Sequence, residues 1–430
     1  MSEVQQHRWT NWSGYCQSTP QHVMYPESLE DLQEIVQQHE NIRVVGAGHS
    51  FTPICQTNAT LISLDKFSSV IHADQDKCQS TVWSGTRLFN LGSHLAQYQQ
   101  ALINQGDIDQ QSLAGAVSTG THGTGADLHC ISGYVEGFEL LTASGALLNC
   151  SRKEHPEIFA AGRVSLGSLG ILTKITMQNR PVYKMKESIQ LAPVEDSLDQ
   201  FLVLKDQHRH LEYFIFPYAD QLIFKTLDET TDEIKPRQES WPSEDQLLTW
   251  CCELGKKIPL ATPYLQKLLG VFIKPTEYVN WSGQIFATPR NTRFNEMEYQ
   301  VPIESGIQCI KEIIAAFKKH RINSFFPIEF RVVKGDDIWL SPFYQQDCIS
   351  ISIHQYHKME PHAVFDLIEP IFIKYQARPH WAKMHSLRYE QIKRLYPKWD
   401  EFMQIRQQLD PTAKFLNPYL KTLMLGEEIH

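Results

Sequence analysis

Arg43-Val-Val-Gly-Ala-Gly-His-Ser-Phe51 reads as the end of a β-strand running into a loop of small residues that carries one histidine. Without side chains, Gly46 and Gly48 let backbone N–H groups approach an anion such as a pyrophosphate. A tight turn after a strand, with His49 as a structural residue, reads the same way, so this segment needs company. Gln111-Ser-Leu-Ala-Gly-Ala-Val-Ser-Thr-Gly-Thr-His-Gly-Thr-Gly125 supplies it with four glycines among Ser and Thr. Such a run has little side chain to bury, and its backbone and hydroxyl groups need outside partners that a phosphate-bearing ligand offers. The Gly-Lys-Ser/Thr of an ATP-binding loop is missing, which leaves ATP chemistry unsupported.

Around these loops the elements alternate irregularly. Ser28-x-x-Asp31 is a capping box ahead of a helix with Leu29, Leu32, Ile35 and Val36 on one face. Ile42–Val45 and Leu61–Leu64 read as strands, Leu88–Ile103 as a helix, and Gly133–Leu148 as strands joined at Ser144-Gly145. This is α+β organisation rather than a repeating βαβ series, which disfavours a Rossmann fold. Past Arg180-Pro181 glycine thins out and strand-like runs appear. The expected division is a first domain over 1–180, a cap domain over 181–375, and a C-terminal segment over 376–430 that docks back on the first.

The 430 residues are enough for two cores. Lys and Arg number 40 against 49 Asp and Glu, net −9, with no basic tail, so nucleic acid is not an expected partner. The nine cysteines include no C-x-x-C pair, which points to reduced thiols. Met1–Arg8 has neither an apolar signal core nor a basic amphipathic pattern, and the expected location is cytoplasmic. The apolar segment Leu247–Lys274 is too broken to span a bilayer; it reads as a helical part of the cap core, with peripheral membrane contact as the alternative.

Three further patterns carry chemistry. In Ile328-Glu-Phe-Arg331 the two-residue period of a strand puts Glu329 and Arg331 on one face and Phe330 on the other. A carboxylate beside a guanidinium orients a hydroxyl and stabilises an oxyanion, although surface ion pairs look alike in sequence. Ile349-Ser-Ile-Ser-Ile-His-Gln-Tyr356 alternates strictly, with Ser350, Ser352, His354 and Tyr356 on a polar face that suits a sugar-like ligand or solvent. His354 and His357 lack a third ligand at useful spacing, so no metal is expected. His380-Trp-Ala-Lys383 sets a lysine beside aromatic residues, as for a buried cation or a snorkelling surface one.

Together these stretches resemble the vanillyl-alcohol-oxidase-type flavoproteins, with a PCMH-type FAD-binding domain, and within them the aldonolactone oxidase and alditol oxidase branch. Asn11-Trp-Ser-Gly14, Glu296-Met-Glu-Tyr-Gln-Val-Pro302, Gly167-Ser-Leu-Gly-Ile171 and Lys414-Phe-Leu-Asn417 follow the same order as in that branch. The resemblance implies FAD as cofactor, bonded covalently through His49, with Gly46, Ala47, Gly48, Ser50, Gly106, Ser112, Gly115, Ser118, Thr119, Gly120, His122, Gly123, Gly125, Gly170 and Ile171 along it. It also implies an antiparallel-sheet cap over the flavin, and catalytic roles for Glu329, Arg331 and Lys383. Ser112, Ser352 and His354 would touch a polyol or lactone substrate. In this scheme hydride passes from a carbinol carbon to the flavin, Glu329 helps remove the hydroxyl proton, Arg331 stabilises the oxygen, and Lys383 offsets charge on the reduced flavin. Plant galactonolactone dehydrogenases of similar sequence lack the histidine and carry alanine where Gly106 stands, so dioxygen is the expected acceptor, with a quinone or cytochrome as the alternative. Ser352 and His354 stand where alditol oxidases have His-x-Thr, which leaves lactone and alditol substrates both open.

Overall fold

The Ser28 hydroxyl accepts from the Asp31 N–H at 3.0 Å while the Asp31 carboxylate accepts from the Ser28 N–H at 3.2 Å, so helix Leu29–Gln38 starts where its capping box says. In the computed structural model, which describes residues 7–237, 241–288 and 290–427, this helix buries Leu32 and Val36. They join a small core with Ile42, Ile62, Leu141, Ile171 and Phe415. The strands beneath run parallel in the order His22–Met24, Thr60–Ser63, Ile42–Val45. A five-stranded antiparallel sheet follows, in the order Leu147–Ser151, Val135–Leu141, Ile171–Gln178, Gln79–Trp83, Val70–Asp74. Gly145, at φ +85°, makes its hairpin turn.

The helix expected over 88–103 is shorter, Leu88–Ala96. Gln99 takes φ +57°, and Gln100–Ala101 turns into a strand paired with Arg180–Pro181. Leu102 therefore belongs to a different element from Leu88, Leu91 and Leu95, although its spacing continues theirs.

From Lys184 onward the chain builds an eight-stranded sheet. Its order is Thr276–Trp281, Lys184–Pro193, Gln221–Thr230, His210–Ile215, Ile328–Val333, Cys348–Tyr356, Phe294–Pro302, Arg378–Pro379, antiparallel throughout. Register turns alternation into two faces. Tyr213 lies opposite Phe330, and Phe330 opposite Ile351. Phe201 of helix Val194–Leu204 packs edge-on against Phe330 (4.7 Å) and Tyr213 (5.1 Å). The other face carries one polar row, Lys225, Glu212, Arg331, Ser350, Gln300, and a second of Glu329, Ser352, Glu298. Glu296 pairs with His354 beyond them.

The polar face is turned toward the N-terminal domain. Gly125 N–H donates to Val332 O at 2.7 Å and the Thr124 hydroxyl to Leu211 O at 2.7 Å. The C-terminal segment closes the far side: Ile42 N–H donates to Lys414 O at 2.9 Å, and the Asn417 amide donates to Pro53 O (2.7 Å) and Gln56 O (2.8 Å). All nine cysteines are free.

As expected for Leu247–Lys274, helices form over Glu244–Lys257 and Thr262–Phe272, and Leu248, Cys251, Cys252 and Leu265 pack on the main core. The second helix also buries Thr262 and Gln266 and leaves Tyr264 and Leu268 in solvent. The side chains of Leu269, Val271 and Phe272 lie outside the described residues.

Candidate active site

Gly46 leaves its strand so close to Ser112 that a Cβ would come within 2.2 Å of the Ser112 hydroxyl oxygen. Gly48 takes φ +67°, a left-handed conformation that glycine adopts without strain. Trp12 N–H donates to Gly48 O (2.8 Å), the Asn11 amide to Ser50 O (2.9 Å), and Phe51 N–H to Ala382 O (2.7 Å), so two distant segments brace the loop. Residues 46–50 stay half-buried, as the wall of a groove does. The His49 ring stacks on Trp12, with centroids 5.0 Å apart and planes at 23°. Among the described residues no protein group bonds its ring nitrogens. Burial, then the nearby Lys383 and Arg87 charges, push its pKa down to about 4. At neutral pH His49 is thus an uncharged imidazole with a free lone pair, the form that attacks an electrophilic carbon.

Ser112 caps helix Leu113–Thr119 by accepting from the Gly115 N–H at 3.3 Å, and Gly120 ends it at φ +73°. Ser118, Thr119 and His122 are buried beyond it. A Cβ on Gly123 would meet Gln105 O at 2.4 Å, and one on Gly106 would meet His122 O at 2.9 Å. This loop therefore lies flat against 104–107. Gly170, at φ +150°, has Leu141 O 2.4 Å from its ideal Cβ. The Ile171 side chain sits in the small core, so it has its backbone alone to offer a cofactor. Ala47 lies half-buried in the first loop. Half-buried glycine loops beside an imidazole that no described protein group bonds fit FAD: the 46–50 loop and Ser112 would hold it, and His49 is free to bond it.

Beside the groove, Arg331 is clamped between Glu212 and Glu329. Asp107 Oδ2 lies 3.5 Å from Arg331 and makes no hydrogen bond. Lys225 lies 3.5 Å from Glu212, 3.6 Å from Glu187 and 3.7 Å from Asp107. Against the cost of burial, Glu212 and Asp107 hold the Arg331 guanidinium above its ordinary pKa, and Lys225 with Arg331 holds Asp107 below its own. The carboxylates of Asp107, Glu212 and Glu329 converge, but the arginine and lysine occupy the place a metal ion would take. His354 Nε2 lies 3.8 Å from Glu329 and 3.6 Å from Glu296. Its Nδ1 faces Pro327 O at 3.3 Å, and burial lowers its pKa to about 4. The neutral ring thus donates from Nδ1, and Nε2 points into the site as an acceptor.

Lys383 ion-pairs with the buried Glu296 and stands 5.0 Å over the Phe51 ring. Two residues along the strand, Glu298 accepts from Ser350 (3.0 Å), Ser352 (2.9 Å) and Gln300 (2.6 Å), and lies 2.6 Å from His122 Nε2. His122 Nδ1 lies 2.7 Å from Gly123 O, so both ring nitrogens face oxygen atoms. Although burial works the other way, His122 and His380 hold the Glu298 carboxyl well below the usual range. His122, Glu298 and His380 could converge on a metal, but 2.6 Å between nitrogen and oxygen leaves room for a shared proton and none for an ion bonded to both. The Ser352 hydroxyl, expected to be open to substrate, already donates to Glu298.

Sequence reasoning missed Asp107, Glu212 and Lys225, and gave no role to Glu296, Glu298 and His380 although they stand in stretches that it singled out. Alternation of Glu296, Glu298 and Gln300 was a signal for the strand pair. Nothing local marked Asp107 or Glu212.

The D-arabinono-1,4-lactone oxidase family model matches residues 175–423, and an FAD binding domain model matches residues 20–151. The chain belongs to the D-arabinono-1,4-lactone oxidase family. FAD is its cofactor. The chain is similar to L-gulono-1,4-lactone dehydrogenase of Mycobacterium tuberculosis, 35% identical with 97% of this chain and 99% of that one covered. L-gulonolactone oxidase of Mus musculus is 29% identical, covering 96% and 97%. Among solved structures, a solvent-stable cholesterol oxidase superposes with TM-score 0.84 at 16% identity, over 97% of each chain, which establishes a shared fold.

Proposed function

We propose that this family member oxidises a carbinol carbon of a sugar-derived 1,4-lactone and passes the electrons to dioxygen, forming hydrogen peroxide. The observation that carries this reading is Glu329 and Arg331 side by side on the cap face, with the His354 Nε2 acceptor 3.8 Å from Glu329, next to the His49 loop. FAD supplies the hydride acceptor. Arg331 offers its charge to the substrate oxygen as that oxygen gains negative charge, an interaction that strengthens toward the transition state. Glu329 accepts the hydroxyl proton, and His354 accepts from a neighbouring hydroxyl and so orients the ring. Lys383 brings a positive charge, half-offset by Glu296, to the loop side of the site. The free, neutral His49 supports covalent attachment.

Anaerobic mixing with D-arabinono-, L-gulono- and L-galactono-1,4-lactones and with alditols tests the reading. Flavin bleaching by one of the lactones is expected, and bleaching by none of these compounds would overturn it. Admitting air should restore the colour with peroxide formed. A bleached enzyme that stays reduced in air points to a dehydrogenase, the reading favoured by the relative that is 35% identical. After acid precipitation the yellow colour should stay with the wild-type chain and leave His49→Ala.

A further inference from the structure

Among the carboxylates around Arg331, that of Asp107 is held in place yet accepts nothing. It comes from the N-terminal domain, on a loop fastened to the cap: the Tyr183 hydroxyl donates to Leu102 O (3.1 Å), Arg209 to Ile103 O (2.7 Å), and Thr288 N–H to Asp107 O (3.2 Å). The neighbouring acids are closely paired. Glu187 accepts from Arg237 Nε at 3.2 Å, and Glu212 and Glu329 share Arg331. Asp107 has cations in view and none in bonding reach. Its Oδ1 stands 3.7 Å from Lys225, and its Oδ2 stands 3.5 Å from Arg331 and 3.8 Å from Arg290. Oδ2 is buried and accepts no hydrogen bond from the described residues. Against the cost of burial, Lys225 and Arg331 keep the group ionised. Buried carboxylate oxygens are normally hydrogen-bonded, because an unmade bond leaves the full desolvation cost standing.

Charge balance selects the donor. Asp107, Glu187, Glu212 and Glu329 face Lys225, Arg237, Arg290 and Arg331, so the cluster is already neutral. A further cation or anion would unbalance it at low dielectric, whereas an uncharged O–H donor would not. Adjacent oxygens of a polyol suit the spacing, one meeting the guanidinium while the next donates to Oδ2. We propose that Asp107 binds substrate, its Oδ2 accepting from the hydroxyl next to the carbinol that Arg331 holds, so that a lactone without that hydroxyl is rejected. This contact rests on the lactone reading above. Together with His354 it grips a second hydroxyl and fixes which carbon is presented for oxidation. A carboxylate fastened before substrate arrives also loses little freedom on binding.

The test crosses Asp107→Ala with lactones that each lack one hydroxyl. Flavin-loaded protein is mixed anaerobically with parent and deoxy lactones. Kd is read from the saturation of flavin reduction or, for a compound that does not bleach the flavin, from binding heat. In the wild type, loss of the hydroxyl beside the oxidised carbon should weaken binding about tenfold to a hundredfold, the worth of one hydrogen bond to a charged group. Asp107→Ala should weaken the parent lactone by a similar factor yet bind that deoxy lactone as the wild type does, and the limiting rate should fall less. Asp107→Asn keeps the shape and carries the same comparison where Asp107→Ala does not fold. Equal losses for the parent and every deoxy lactone overturn the proposal and make Asp107 a counter-charge to Lys225 and Arg331. A wild type that binds parent and deoxy lactones alike overturns it as well. Binding that follows the expected pattern without any bleaching overturns the proposed oxidation and leaves the Asp107 contact standing.

Discussion

Around Arg331 the Glu212 and Glu329 carboxylates close in on the guanidinium, Asp107 stands off at 3.5 Å, and the side chains keep some exposure, 11% for Arg331 and 13% for Glu329. Around Glu298, on the same sheet face, four donors close in at 2.6–3.0 Å and the carboxylate is 3% exposed. Both clusters balance buried charge. The first stays partly exposed and leaves Asp107 Oδ2 without a hydrogen bond, so an incoming hydroxyl can take a place among its groups. The second is saturated, and its work is to fasten the 121–125 loop to the cap. Low dielectric makes either cluster costly to break, but for different observables.

The largest effect is expected for Glu298→Gln, which removes the buried charge on which four donors converge. Breaking one side of a buried pair costs about 3–5 kcal/mol, read from urea melts. A small stability change with a large loss of turnover would move Glu298 into the chemistry and erase the contrast. Arg331→Lys should instead lower anaerobic flavin reduction about a hundredfold or more, because an ammonium cannot replace the planar fork. Substrate affinity should fall less, and unchanged reduction would make the Glu-x-Arg pair structural.

Gly106→Ala bridges the two regions. Its new Cβ would press on His122 O, 2.9 Å away, so the loop must shift at a cost of about 1–3 kcal/mol. Reoxidation by dioxygen should slow more than reduction by lactone in stopped-flow traces. Equal slowing of both would assign the effect to the displaced loop instead of to access. His354→Ala should weaken lactone binding about tenfold and change the preferred lactone, with a smaller effect on the limiting rate. A large rate loss at saturation would give His354 a direct part in proton removal.

A different observable is pH dependence. The His354 pKa falls from 6.5 in the unfolded chain to about 4 in the fold. The unfolded chain then binds more protons over this window, so stability is full above about 6.5 and drains as pH falls toward 4. Urea melts stepped through this range should show a shallower slope for His354→Gln. By the same sign His49 stays neutral down to about 4, and attachment of flavin to apoprotein should not slow as pH passes below 6.5.

By itself the sequence determined the α+β class, the capped first helix, the two glycine loops, and which face of each cap strand is polar. These depend on periods of two or 3.6 residues and on backbone conformations that glycine permits, all of them local properties. It also paired Glu329 with Arg331, since a strand puts alternate residues side by side. Only the tertiary structure brought Asp107 and Glu212 to Arg331, Glu296 to Lys383, and Glu298 to His122, because each pair is separated by dozens of residues or more and meets through sheet register and domain docking. The same holds for helix Thr262–Phe272, where Asn323, Ser324 and Tyr218 bond the buried Thr262 and Gln266, partners that no local pattern announces.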